Sequence, residues 1–297
     1  MTSFFAYLTE KDVEHRRDFP LSEYSTMRVG ATADAIVYPQ SVDKFVSVIR
    51  YLEEKRIKYR VLGRMSNVLP LDTPYSGVIL STLRLDHYRI DGDVIDVECG
   101  TLISRLILRL ARDSLGGLES LFGIPGTVGG AVYSNAGAFG LEISDVIHSA
   151  VVYDVVSDEI RELFYDDLAL SYRKSVLSEK RYILISARLA LQRGSYDCIV
   201  EKIRCIRKER NLRQPTEYPS LGSIFKRCGD VSAAYYIDRS DLRAFSIGGA
   251  QISEKHAGFI INTGGATSCD VSELIKHIKR VVYEKYSIEL EEEIEYL

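Results

Sequence analysis

The chain has 297 residues, 46% hydrophobic, 27% charged and 10% aromatic, so it carries material for two or three compact units and is neither disordered nor collagen-like. Its 38 Lys and Arg against 42 Asp and Glu leave a formal net charge of −4. With an isoelectric point near 5.8, it is no phosphate-backbone binder, which wants a basic face and a domain pI above about 9.

Met1 to Arg17 mixes charged with apolar residues and lacks the unbroken apolar stretch of a signal peptide. No window approaches the ~18 apolar residues of a membrane span, so a cytoplasmic protein without membrane insertion is expected. The five cysteines never fall in a C-x-x-C pair and the five histidines never cluster, which predicts reduced thiols and no metal site.

Residues 22–70 read as a small βαβ unit. Residues 35–38 are a short apolar run ended by Pro39. Ser41 then caps a helix carrying Val42, Phe45, Val46, Ile49 and Leu52 at helical spacing, and a second strand spans 59–62. That strand opens into Gly63-Arg64-Met65-Ser66-Asn67, whose composition suits phosphate or ribose contacts and equally an ordinary surface turn.

Strands follow at 78–80 and 94–98. Leu102, Ile103, Leu106, Ile107 and Leu110 then mark an amphipathic helix expected to stop at Gly116-Gly117. The densest glycine run, 123–140, comes next. Strands are expected at 150–156, 161–164 and 182–191, mostly antiparallel because their connections are short. A polar helix over 197–210 leads to Pro215 and Pro219, a stiff connection that reads as a domain boundary.

Beyond it the pattern predicts a helix around 231–238, a strand at 259–262 and a long helix after Asp270. An Asp270-x-x-Glu273 capping box opens that helix, and Val271, Leu274, Ile275, Ile278, Val281 and Val282 form its stripe. Ile288, Leu290, Glu293, Ile294 and Tyr296 alternate in a way that suits a final strand. The order of elements is α+β rather than a regular α/β alternation.

The run Gly123-Ile124-Pro125-Gly126-Thr127-Val128-Gly129-Gly130-Ala131 is neither G-x-G-x-x-G nor a Walker A loop. Two physical readings stand: backbone amides laid open to an anion such as a diphosphate, or a glycine-rich turn packed for steric reasons. Ser171-Tyr172-Arg173-Lys174-Ser175 and Gly222-Ser223-Ile224-Phe225-Lys226-Arg227 place cations and a serine in otherwise structural sequence, and arginine is suited to gripping a carboxylate.

Together these segments resemble one family. Ser25-Thr26-Met27-Arg28-Val29-Gly30, the loop 61–67, the run 117–140, the segment 171–175, QPTEYPSLGSIFKR at 214–227, GGAQISEKHAGFIINTGG at 248–265 and the closing LEEEI match, in order, the UDP-N-acetylenolpyruvoylglucosamine reductases of peptidoglycan synthesis. The length and the lack of a long insertion after Arg173 resemble the shorter of two subtypes.

The resemblance implies a vanillyl-alcohol-oxidase (PCMH)-type FAD-binding fold of two α+β subdomains, 1–70 and 71–212, with an α+β substrate-binding domain at 213–289. Residues 290–297 are expected to return to the first subdomain. FAD would be held by Gly63, Arg64, Ser66, Asn67, Gly123, Ile124, Pro125, Gly126, Thr127, Gly129, Gly130, Asn135 and Ala136. NADPH is the implied co-substrate and UDP-N-acetylglucosamine enolpyruvate the substrate, acted on by a monomer.

In the implied reaction hydride from the flavin adds to the terminal vinyl carbon, and charge collects on the neighbouring carbon and its carboxylate. Fixed charge aimed there lowers the barrier. Arg173 matches the family arginine in that role, and Ser223 matches the serine that protonates the carbanion, with Lys226 placed by spacing to stabilise its alkoxide. Glu293 matches the glutamate facing the substrate carboxyl; its choice over Glu291 rests on alignment alone. Tyr172, Arg213, Lys226, Arg243 and His256 are the implied substrate contacts.

The sequence departs from the family where Met65 and Ala31 replace glycines and where Glu292 and Cys228 replace prolines. A methionine at position 65 would crowd the flavin diphosphate unless the loop shifts. A competing reading is a flavin- or nucleotide-sugar-binding paralogue without turnover, and the joint presence of Arg173, Ser223 and Glu293 speaks against it. An oxidase of the same fold is disfavoured because the third-domain motifs match as well.

Overall fold

The computed structural model describes all 297 residues. Its helices are α1 (Thr2–Glu10), α2 (Val42–Glu54), α3 (Ile103–Arg112), α4 (Val128–Tyr133), α5 (Tyr196–Arg213), α6 (Ala233–Arg239) and α7 (Ser268–Tyr286). None is long and apolar enough to cross a membrane. The chain divides into two compact units: Met1–Arg17, Ala35–Gly63 and Gly77–Lys208 form the first, and Asp18–Asp34, Arg64–Ser76 and Glu209–Leu297 the second. Thus residues 18–34 and 64–70, placed by the sequence pattern with an amino-terminal lobe, group with the carboxy-terminal residues. The division falls inside α5, just before the prolines.

In the first unit α2 begins where expected, because the Ser41 side chain accepts the Lys44 N–H at 3.3 Å and Phe45, Val46, Val48, Ile49 and Leu52 are buried. The strands flanking it are not neighbours. The sheet order is Glu14–Pro20, Thr32–Tyr38, Tyr75–Ser81, Tyr59–Leu62, with Tyr59 beside Val78 in a parallel pair. Tyr75–Ser81 is buried at six of its seven residues and takes an inner place, whereas only Leu62 of Tyr59–Leu62 is fully buried and that strand goes to the edge.

A five-stranded antiparallel sheet follows in the order Glu159–Phe164, Ile147–Asp154, Tyr182–Ala190, Val94–Glu98, Tyr88–Asp91. Ala150 sits opposite Leu163 on one side and Ala187 on the other. Helix α3 stops at Arg112, short of the expected Gly116-Gly117. Ser114 turns left-handed at φ +57, and Leu115–Gly116 is drawn instead into a short pairing with Gln192–Arg193.

The second unit is built on the antiparallel sheet Ser220–Ser223, Phe259–Asn262, Ala250–Ile252, Ser246–Ile247. Its core joins Met27, Val29 and Leu69 to Leu221, Ile224, Phe225, Leu274, Ile278, Leu290 and Ile294. Helix α7 is capped by Thr267, not by Asp270. The Thr267 hydroxyl accepts the Asp270 N–H at 3.0 Å and the Asp270 carboxylate accepts the Thr267 N–H at 2.9 Å. The capping box therefore sits one turn earlier than the Asp270–Glu273 pair, and Glu273 pairs with Lys276 instead. Of the expected final strand only Glu295–Tyr296 forms, parallel to Val68–Leu69.

Candidate functional site

The second unit gathers Ser223, Lys226, His256 and the glutamates of the chain end around one strand pair. Ser220 opposes Ile261 and Ser223 opposes Phe259, so the strand Ser220–Ser223 holds one residue more than its partner between those pairs. Gly222 lies within that bulge at φ +78, a left-handed position that glycine occupies without strain. A bulge bends its strand and re-aims the next side chain; here that side chain is Ser223.

The chain end runs antiparallel to the residues after Ser223. Lys226 N–H donates to the Glu291 carbonyl at 2.9 Å and Glu293 N–H to the Ile224 carbonyl at 2.8 Å, with Phe225 bridged to Glu292. Alternation along this pairing separates the glutamates. Glu291 is exposed and its carboxylate holds the Lys226 ammonium at 2.5 Å. Glu293 is half-buried and its peptide lies against Ile224. The Lys226 charge, expected beside Ser223, is therefore shared with Glu291. Burial alone would raise the Glu292 carboxyl, but hydrogen bonding from Tyr296 and the pairing with Lys279 hold it below the usual carboxylate range.

His256 is tied to the same place. The Gly258 N–H donates to His256 Nδ1 at 3.1 Å, and the Gly258 carbonyl accepts the Ile224 N–H at 3.0 Å. One residue, Gly258, thus links the imidazole to the residue following Ser223. The ring packs edge-on against Phe259 at 4.8 Å, and burial lowers the His256 pKa, with the Arg243 charge adding to the shift. Nδ1 accepts, so the proton of the neutral ring sits on Nε2, leaving that nitrogen a donor.

The other expected substrate cations are engaged within the unit. Arg243 pairs with Asp238 and donates to the Glu254 carbonyl, and Arg213 pairs with Glu209. In the loop 64–67, Arg64 is exposed while Met65 is buried. Thr26, inside the Ser25–Gly30 motif, donates its hydroxyl to the Ser220 carbonyl at 2.7 Å and lies 3.5 Å from the Met65 carbonyl. The motif was legible in the sequence; this fastening duty was not.

In the first unit, Ser171 and Lys174 exchange backbone hydrogen bonds of 3.0 and 3.1 Å, closing a tight turn with Tyr172 and Arg173 at its tip. Arg173 has φ +57, strain of the kind that surrounding structure must hold in place. Its guanidinium carbon lies 5.1 Å from the Tyr172 ring centroid. Asn135, fully buried, donates Nδ2 to the Ser171 carbonyl at 3.2 Å and to Glu142 at 3.0 Å, and its Oδ1 accepts the Ser144 N–H at 2.9 Å. Its side chain fastens the Arg173 turn.

The glycine run is packed more closely than the anion reading supposes. Gly123 N–H donates to Ser104 Oγ and Gly130 N–H to Thr127 Oγ1, while Ile124, Val128 and Gly129 donate to backbone carbonyls. A Cβ on Gly63 would fall 2.4 Å from Thr127 Oγ1, and one on Gly129 2.9 Å from the Cys99 carbonyl. The glycines at 63 and 129 thus serve close approach. Gly123, Pro125 and Gly130 are exposed, but the Gly123 and Gly130 N–H groups are already bonded and proline has none, so what the run offers a ligand is room for close approach.

Residues 33–162 match the model of an FAD binding domain, and residues 214–297 match that of the UDP-N-acetylenolpyruvoylglucosamine reductase C-terminal domain. The chain is 41% identical to the UDP-N-acetylenolpyruvoylglucosamine reductase of Caldicellulosiruptor bescii, over 99% of this chain and 94% of that one. The chain belongs to the UDP-N-acetylenolpyruvoylglucosamine reductase family. A reductase of that name from Clostridium perfringens is 39% identical over 93% of this chain and 91% of its own. The crystal structure of UDP-N-acetylenolpyruvylglucosamine reductase from Thermus caldophilus superposes with a TM-score of 0.81 at 31% identity, covering 96% and 98% of the two chains. The fold is the α+β, FAD-binding type, and the protein is an FAD-dependent oxidoreductase. The exposed, side-chain-free surface at Gly123 and Gly130 fits close approach of such a cofactor.

Proposed function

We propose that this family member reduces UDP-N-acetylglucosamine enolpyruvate to UDP-N-acetylmuramate in the cytoplasm, as a monomer using NADPH. Bound FAD would supply the hydride that reaches the terminal vinyl carbon of the enolpyruvyl ether. Gly63, Arg64, Ser66, Asn67, Gly123, Ile124, Pro125, Gly126, Thr127, Gly129, Gly130, Asn135 and Ala136 are the residues we assign to holding it. Tyr172, Arg213, Lys226, Arg243 and His256 are assigned to the substrate, His256 as an Nε2–H donor.

The remaining chemistry is proton and charge management. Negative charge arriving on the carboxyl-bearing carbon is met by the Arg173 guanidinium, pre-set by its strained turn, and such preorganised charge is a large catalytic contribution. Ser223 Oγ–H delivers the proton to that carbon. Glu293, held alongside Ile224, faces the substrate carboxyl. The observation that carries the reading is the glycine bulge that re-aims Ser223 while the chain end brings Glu293 to the next residue.

The test is a two-step titration. Protein reconstituted with FAD is expected to be yellow, to bleach with NADPH, and to recover colour on addition of UDP-N-acetylglucosamine enolpyruvate. A protein that takes up no FAD, or a bleached flavin that the enolpyruvyl substrate leaves reduced, rejects the proposal.

A further inference from the structure

Asn67 closes the loop 64–67, and its side-chain NH2 and its backbone carbonyl both bond the chain end. Its Nδ2 donates to the Glu293 carbonyl at 2.9 Å, and its own carbonyl accepts the Glu295 N–H at 2.9 Å. On the other side of the same residue the Glu293 N–H donates to Ile224. Regular strand begins only at Glu295. Glu293 is therefore set by two local backbone bonds, one to the residue after Ser223 and one to the loop assigned to the cofactor.

Thr26 Oγ1 donates its one proton to the Ser220 carbonyl at 2.7 Å, and the Met65 carbonyl, 3.5 Å away, is a neighbour rather than a second acceptor. A displacement of the loop is thus passed to the chain end through Asn67, and so to Glu293. The bond to Glu295 uses the Asn67 backbone carbonyl, which any residue supplies, whereas the bond to Glu293 needs the side-chain NH2. An aspartate has no proton to give the Glu293 carbonyl, and a serine hydroxyl donates from a shorter arm.

We propose that Asn67 is a positioning residue for Glu293, coupling occupancy of the cofactor loop to the placement of the carboxyl that faces the substrate. The inference rests on the functional reading above and adds to it a link between the cofactor loop and the acid end of the reaction. Flavin reduction by NADPH does not use Glu293 and is insensitive to the link; delivery to the enolpyruvyl substrate depends on it.

The test compares full-length wild type with Asn67→Asp and Asn67→Ser in two measurements. In amide hydrogen exchange, FAD is expected to slow exchange at residues 293–297 of the wild type by about tenfold or more, and this slowing is lost in Asn67→Asp. In half-reactions counted per bound flavin, reoxidation is read as its ratio to reduction by NADPH in the same preparation, so that any effect of Asn67 on the flavin itself cancels. Reoxidation by saturating substrate falls about a hundredfold in Asn67→Asp, the scale of a small misplacement of a reacting group. Asn67→Ser falls between, and carries the test if the aspartate variant does not fold. The proposal is overturned if FAD still protects residues 293–297 in the variants, if both half-reactions fall together, or if reoxidation per bound flavin is unchanged. A wild type that neither takes FAD nor reoxidises with the substrate rejects the functional reading itself; wild-type turnover matched by the variants rejects only the coupling.

Discussion

Met65 stands where the family carries glycine, and its backbone keeps the glycine-like conformation at φ +50. Holding a residue with a Cβ there costs about 1–2 kcal/mol, which Met65→Gly would return. The side chain, however, is only 2% exposed. Removing a buried methionine side chain costs about 2–5 kcal/mol, and glycine's freer unfolded chain adds about 0.5–1 kcal/mol. Burial wins, and Met65→Gly is expected to lose about 0.5–5 kcal/mol in urea unfolding of the cofactor-free protein. Met65→Leu, which keeps the volume and the strain, loses less than about 1.5 kcal/mol. Because the side chain is withdrawn from solvent, FAD affinity in the glycine variant, read by flavin fluorescence, stays within about threefold of wild type, under 1 kcal/mol. A glycine variant that is more stable than wild type, or that binds FAD about tenfold more tightly, would refute this reasoning and show that the methionine obstructs the cofactor.

Ser223→Ala is expected to keep flavin reduction by NADPH and to slow reoxidation by about 10²–10⁴-fold, the usual range for a positioned acid; normal turnover would remove Ser223 from that role. Gly222→Ala meets no atom within 4 Å, so its cost is purely conformational, about 1–2 kcal/mol. Stopped-flow reoxidation should fall as the bulge redirects Ser223, and an unchanged rate would argue against the bulge. Glu291→Gln, which releases Lys226, should leave turnover within about threefold, whereas Glu293→Gln should cost about a hundredfold; the reverse order would exchange the two assignments. Burial depresses the folded His256 pKa, so its contribution to stability is complete above the ordinary value of about 6.5. That contribution is lost as pH falls through the depressed value. His256→Gln should flatten this acid-side slope in urea midpoints measured between pH 5 and 7, and a slope identical to wild type would place the titration elsewhere.

The local content of the sequence carried far. Ser41 ahead of a helical stripe located the start of α2 to the residue, and Tyr59–Leu62 and Phe259–Asn262 emerged with the boundaries observed. These features depend on neighbours three or four positions away, and on side chains alternating between buried and exposed, both of which a linear pattern records. The order of the motifs was enough to place the chain in its family. Where two local solutions competed, the pattern chose less well: Asp270 and Thr267 can each open a capping box, and tertiary packing selected the earlier one.

What the tertiary structure alone decided are the pairings between residues far apart in sequence. The placing of Tyr75–Ser81 between the two strands that flank α2, the bulge at Gly222, the capture of Lys226 by Glu291 and the spending of Asn135 on the Arg173 turn all depend on which backbone groups meet. Asn67 and Glu293 are 226 residues apart. Residue type states what each can donate or accept, but only the closed chain determines which partner lies within hydrogen-bonding distance.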